Sequence, residues 1–209
     1  MKKSNAMPWW GWASWILTLM LGTVAYAYLP AQVVGKAGRM TPRLLVVSYE
    51  PATMLAIILL WYVLWRLDPK KRNYESFWTT YRYIGGVIVV CMGFVYLTVL
   101  GHALHIASMR FIPTAIGIMF MLIANVLPRI HPNWWIGFRT PWTLSSEESW
   151  NRTHRLGGQL GIPTGILIII LAWVLPTNSV MKLAVLIPII LWGLITVVAS
   201  YFYAKESHN

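Results

Sequence analysis

The sequence predicts an all-α, polytopic membrane protein: six transmembrane helices forming one unit over residues 1–209, with both termini cytoplasmic. Three observations carry this. Of 209 residues, 57% are hydrophobic and only 11% charged, which is too little polar surface to cover a water-soluble globule. Six apolar windows, five free of charge and one interrupted only by Glu50 near its start, approach the roughly 20 residues that a helix needs to cross a hydrocarbon layer about 30 Å thick. The cations, finally, fall unevenly on alternate sides of those windows, as the positive-inside rule requires.

The windows are Trp12–Leu29, Val46–Trp65, Ile84–Gly101, Phe111–Leu127, Leu156–Leu175 and Leu183–Tyr203. The first uncharged run, Ser4 to Gly35, is too long for the short apolar core of a signal peptide and is expected to be retained. Trp9, Trp10 and Trp12, then Trp61, Tyr62 and Trp65, then Tyr201 and Tyr203 gather near window ends, where amphipathic rings sit at headgroup depth.

With the N-terminus inside, the inner segments hold twelve cations: Lys2 and Lys3; Arg66, Lys70, Lys71, Arg72 and Arg82; Arg129, Arg139, Arg152 and Arg155; and Lys205. The outer segments hold five: Lys36, Arg39, Arg43, Arg110 and Lys182. The net charge of +11 is thus read as topology and contact with membrane lipids, with no direct nucleic-acid partner. Cys91 is the single cysteine and lies in an apolar run, which excludes an intrachain disulfide or a cysteine metal cluster.

Two inner excursions interrupt the apolar pattern, Asp68–Tyr81 and Pro128–Arg155, and both are basic. In the second, Ser145 reads as a helix N-cap, with Glu147 and Glu148 at the positive end of the dipole. Continued into the fifth window, that helix places Glu147, Trp150, His154, Gly157, Gly158 and Gly161 on one face. Gly157 and Gly161, four apart, permit close approach of a neighbouring helix.

His154, between Arg152 and Thr153 on one side and Arg155 on the other, has two open readings: a structural hydrogen bond, to Glu147 or a hydroxyl, or direct recognition of a partner. Ahead of the cap, Arg139-Thr140-Pro141-Trp142-Thr143 combines a guanidinium fork, two hydroxyls and a proline-fixed backbone. That combination suits an anion cradle, and equally a basic loop resting on anionic lipid.

The run Asn133–Gly158 resembles the signature of the SdpI family of bacterial membrane immunity proteins. There a similar Gly-Ile-Arg-Thr-Pro-Trp-Thr-Leu segment leads to a tryptophan followed by Thr-His and glycine. The resemblance implies a non-enzymatic protein of the bacterial inner (cytoplasmic) membrane that confers resistance to a secreted membrane-active antimicrobial peptide. Its implied partners are that toxin peptide and a cytoplasmic repressor protein. It places the motif at Gly137, Arg139, Thr140, Pro141, Trp142, Thr143, Trp150, Thr153, His154 and Gly158, to which the residues themselves add Glu148 as the capping-box acid.

Leu29-Pro30, which many members carry after the first span, is kept. The histidine and aspartate expected further on are replaced by Val34-Gly-Lys-Ala-Gly-Arg-Met40, so the outer loop is expected to meet a different toxin or none.

The alternative function is a small transporter or a lipid- or anion-binding carrier, with Arg139, Thr143, His154 and Glu50 lining a polar route. Glu50, only 15 uncharged residues before Arg66, either starts a short span with Pro51 in its first turn or lies partly inside the bilayer. Asn125 in the fourth window is placed to hydrogen-bond across the bundle. His102 and His105 are read as interfacial histidines or half a metal site; no metal and no cofactor is assigned. Gly-x-Ser-x-Gly and His-Glu-x-x-His motifs are absent and no catalytic residue is assigned.

Overall fold

A computed structural model describes residues 5–34, 40–176 and 180–206. Lys2, Lys3, Lys36, Arg39 and the rest of the divergent outer-loop run 35–39 lie outside the described residues. The described residues form seven α-helices and one small hairpin: α1 Trp9–Tyr28, β1 Gln32–Val34, β2 Met40–Pro42, α2 Arg43–Leu67, α3 Tyr74–Ala103, α4 Phe111–Val126, α5 Pro141–Ser145, α6 Glu147–Val174 and α7 Ile187–Glu206. β1 and β2 pair antiparallel, Val33 opposite Thr41.

Among the described residues, five helical segments are long and apolar enough to cross a membrane: Arg43–Leu67, Lys71–Ala103, Phe111–Arg129, Glu147–Val174 and Met181–Glu206. The protein is a multi-pass membrane protein. The first predicted window is also helical, as the 20-residue α1, but it falls outside that set. Its tryptophans, tyrosines and glycines dilute the aliphatic content on which transfer into hydrocarbon depends.

The largest departure from the predicted windows is α3, which begins at Tyr74, ten residues before Ile84. Tyr74, Phe77, Tyr81 and Ile84 recur at helical spacing and are all buried, so packing carries the helix below the apolar stretch despite a kink at Phe77. Trp61 and Tyr81 lock α2 to α3. Their rings stack at 4.8 Å, Tyr81 Oη donates to the Trp61 carbonyl at 2.5 Å, and Trp61 Nε1 donates back to the Tyr81 carbonyl at 3.2 Å.

Pro51 lies inside α2 and has no N–H for the carbonyl four residues earlier, that of Val47. Tyr96 Oη of α3 donates to that carbonyl at 3.0 Å, so a break in one helix becomes a tie to the next. Pro188 near the start of α7 likewise cannot donate to Ala184, and the chain before it takes the wider π pattern over Val180–Leu186.

α4 and α6 pack closely because both faces carry small residues. A Cβ on Gly158 would stand 2.8 Å from the Ala124 carbonyl oxygen, and one on Gly165 2.7 Å from that of Gly117. The packing reading of the glycine stripe is what the geometry shows. Asn125 takes no part: it is exposed, one residue round from the Gly117–Met121–Ala124 face, and among the described residues its side chain makes no hydrogen bond. The expected cross-bundle bond is therefore corrected.

Arg43 Nη1 reaches the Tyr26 and Leu29 carbonyls at the end of α1. Arg110 Nη1 reaches the Ala172 and Trp173 carbonyls at the end of α6, at 2.7 and 2.9 Å. These two cations satisfy orphan carbonyls at the negative ends of helix dipoles.

Candidate functional site

The motif Asn133–Gly158 forms a compact structure at the end of the bundle where α2 finishes and α3 and α6 start. Asn133 organises its entry. It is fully buried, and its Nδ2 donates to the carbonyls of His131 (2.9 Å) and Ile136 (3.0 Å). Its Oδ1 accepts from the N–H groups of Trp135 (2.9 Å) and Ile136 (2.7 Å). Every polar position of the amide is used, which fixes the turn.

Asp68, just past α2, anchors that turn to the rest of the protein. It is 2% exposed. Oδ2 accepts from Trp134 N–H and from Tyr74 Oη, both at 2.8 Å, and Oδ1 accepts from Lys70 N–H at 2.7 Å. Asn73 Nδ2 adds a bond to the Pro132 carbonyl at 2.7 Å. A carboxylate held by three donors from three chain segments is a charge-assisted hub.

His154 sits between two backbone groups whose roles are fixed. The Trp150 carbonyl, which can only accept, lies 2.7 Å from Nδ1. The Phe138 N–H, which can only donate, points at Nε2 at 3.0 Å. The imidazole is therefore the Nδ1–H tautomer. Its ring stacks on Trp150 at 4.1 Å, and Trp150 Nε1 donates to the Ile130 carbonyl at 2.6 Å.

Both side chains are completely buried. The proposed partner Glu147 is instead exposed at the start of α6, two turns back, because backbone groups already satisfy both ring nitrogens. Gly137 makes the approach possible: its φ is +103° and a side chain there would collide with His154 Nε2.

The Arg-Thr-Pro-Trp-Thr segment is a capped helical turn. Pro141 occupies the first position of α5, and Thr140 and Thr143 form a reciprocal capping box. Thr143 N–H donates to Thr140 Oγ1 at 3.2 Å, and Thr140 N–H to Thr143 Oγ1 at 3.0 Å. Thr143 Oγ1 also donates to the Phe138 carbonyl at 2.7 Å. The two hydroxyls predicted to face an anion are thus spent inside the loop.

The turn docks on α7. Thr140 Oγ1 lies 3.1 Å from Ser200 Oγ, Ser149 Oγ donates to the Ser200 carbonyl at 3.0 Å, and Trp142 packs edge-on against Tyr201 at 5.2 Å. Ser146 is the cap of α6 through Ser149 N–H, one residue beyond the predicted Ser145, which closes α5 instead. Thr153, fully buried, has a hydroxyl without a hydrogen-bond partner.

The motif's outward face is polar and aromatic. Arg139 is exposed and donates through Nη1 to the Trp134 carbonyl, while Trp134 and Trp135 are 48% and 39% exposed. Glu148 lies 3.7 Å from Arg152, which also meets Glu206 at 2.6 Å and covers the Tyr203 ring at 4.2 Å.

The structure thus brings together Gly137, Arg139, Thr140, Pro141, Trp142, Thr143, Glu148, Trp150, Thr153, His154 and Gly158, and leaves Glu50 apart. Eighteen residues of α2 and its cap separate Glu50 from Asp68, roughly 27 Å at about 1.5 Å per residue. Glu50 lies instead on a separate groove of about 760 Å³ whose lining includes no motif residue. His102 lies in the last turn of α3 and His105 two residues past its end, and no group of three or more ligating side chains occurs among the described residues.

Sequence reasoning missed Asp68, Asn133, Ser149 and Ser200. The first two had a signal, since Asp68-Pro69 and Pro132-Asn133 are turn-forming pairs. The serines had none.

The profile of the SdpI/YfhL protein family matches residues 129–200, which contain the motif, α6 and most of α7. Over 195 residues the chain is 24% identical to the immunity protein SdpI of Bacillus subtilis (strain 168), covering 91% of this chain and 92% of that protein. No solved structure matches.

Proposed function

From membership of the SdpI family, we propose that this protein protects a bacterial cell against a secreted membrane-active peptide, without catalysis. In this reading α1 is a sixth span beside the five apolar ones, both termini are cytoplasmic, and the protein resides in the inner membrane. Charge supports that orientation. Among the described residues, Arg66, Lys70, Lys71, Arg72, Arg82, Arg129, Arg139, Arg152, Arg155 and Lys205 belong to the motif end, against Arg43, Arg110 and Lys182 at the other. Of those three, two cap helix ends.

The observation that carries the reading is the motif's construction: a buried frame of Asp68, Asn133, Trp150 and His154 holding Trp134, Trp135 and Arg139 outward. A frame of this kind presents a fixed surface. A cytoplasmic regulator fits such an aromatic and cationic face.

The test is survival of a sensitive bacterium expressing the protein and challenged with a panel of secreted membrane-active peptides. Protection against at least one is expected, with loss of protection in Arg139→Ala and in His154→Phe, each at normal membrane abundance. Absence of protection against every peptide overturns the immunity reading. Full protection by both variants overturns the motif's part in it.

A further inference from the structure

At the end of the bundle opposite the motif, the β1–β2 hairpin, the N-terminal half of α2, the C-terminal end of α3 and the α3–α4 connection enclose the groove of about 760 Å³. Its walls are largely aliphatic, including Val33, Val46, Val95 and Val99. Two polar groups stand out against them. Glu50 is half-buried and, among the described residues, its carboxylate makes no hydrogen bond and no ion pair. His102 donates through Nδ1 to the Ala107 carbonyl at 3.3 Å, which leaves Nε2 of the neutral ring as an acceptor.

Arg43, the cation at the start of α2 among the described residues, is already engaged. Arg43 is committed to the Tyr26 and Leu29 carbonyls and to the Tyr26 ring, whose centroid is 4.3 Å away. Among the described residues, the groove therefore offers a carboxylate and an acceptor inside apolar walls, with no positive group spent on either. An uncompensated carboxylate in such surroundings is costly unless something neutralises it.

We propose that this groove binds the lysine ammonium of an apolar, membrane-active peptide, with Glu50 as its counter-ion and the aliphatic walls holding the lysine stem. This rests on the immunity reading and names where the peptide is held. The chemistry selects against the other cations at hand. A calcium or magnesium ion needs six or more oxygen ligands, and two acceptors in an aliphatic groove do not supply them. An aminophospholipid carries a phosphate beside its ammonium, and seating that ammonium on Glu50 would force two negative groups into repulsive proximity. A lysine brings one compact charge with three donors on a flexible apolar stem and no accompanying anion.

The protein is reconstituted in nanodiscs of pure phosphatidylcholine and titrated with a dansyl-labelled apolar helical peptide bearing one lysine near its end, and with its norleucine counterpart. Wild type is expected to bind the lysine peptide about tenfold or more tightly than the norleucine peptide, a preference lost in Glu50→Gln and partly kept in Glu50→Asp. Equal affinity for the two peptides, or a preference that survives in Glu50→Gln, overturns the proposal. Displacement of the peptide by added phosphatidylethanolamine assigns the groove to lipid and overturns it as well.

The survival assay separates this proposal from its premise. Protection by wild type that persists undiminished in Glu50→Gln overturns the groove and leaves immunity standing. Failure of wild type itself to protect overturns immunity, while the lysine preference is still read directly in the nanodiscs.

Discussion

Asp68 and Trp134, 66 positions apart, meet in one hydrogen bond: Trp134 N–H donates to Asp68 Oδ2 at 2.8 Å. Through it the α2–α3 connection and the motif loop become one structure, because the same oxygen accepts from Tyr74 Oη. Replacing Asp68 by Ala strands three donors, that of Tyr74 buried and those of Lys70 and Trp134 partly buried. A loss of about 2–4 kcal/mol is expected, measured as unfolding in mixed detergent. Faster tryptic cleavage at Arg139 in the folded population should accompany it, and unchanged stability and cleavage would refute the hub.

The tautomer of His154 is open to direct observation. Nitrogen-15 spectra of histidine-labelled protein should show a ring protonated at Nδ1 with an unprotonated, hydrogen-bonded Nε2. The Nε2–H tautomer would contradict the bonds to Trp150 and Phe138. His154→Phe keeps a ring to stack on Trp150 but gives the Phe138 N–H no acceptor, at a cost of about 1–3 kcal/mol.

Gly137→Ala is expected to be among the most damaging single-methyl additions in the motif. It meets both an unfavourable φ of +103° and the His154 ring, a cost of about 2 kcal/mol or more. Thermal unfolding checks this directly. A variant as stable as wild type would mean that the turn is free to rearrange.

Tyr96 and Pro51 form a conditional pair. Tyr96→Phe should cost about 1 kcal/mol by leaving the Val47 carbonyl unpartnered. In a Pro51→Ala background the restored helical N–H can serve that carbonyl, so the same substitution should cost less. A double-mutant cycle that shows no coupling between the two sites would contradict this arrangement.

Arg152 makes the opposite case. Its pair with Glu206 and its contact with Tyr203 are solvent-accessible, so Arg152→Ala should shift stability by less than about 1 kcal/mol. A larger loss would show that the α6–α7 ends rely on charge.

Helices could be read from the sequence because hydrocarbon imposes a simple local condition: about 20 apolar residues without charge. Where α3 begins could not be read that way, since Tyr74, Phe77 and Tyr81 are held helical by burial against α2 and the motif. The motif's membership was legible because its residues are contiguous, and so was the glycine face of α6 because its period is local. Their roles were not. Thr140 and Thr143 look equally suited to a ligand and to a capping box until the positions of Phe138 and Ser200 are known.

The sequence by itself determined a membrane-embedded helical protein, its windows and its motif, because hydropathy and residue order are properties of the chain alone. Only the tertiary structure decided that Asp68 holds the motif, that His154 faces backbone groups and not Glu147, and that Glu50 stands alone in a distant groove. A hydrogen bond depends on which atoms meet within about 3 Å, and no spacing along the chain specifies a partner 66 residues away.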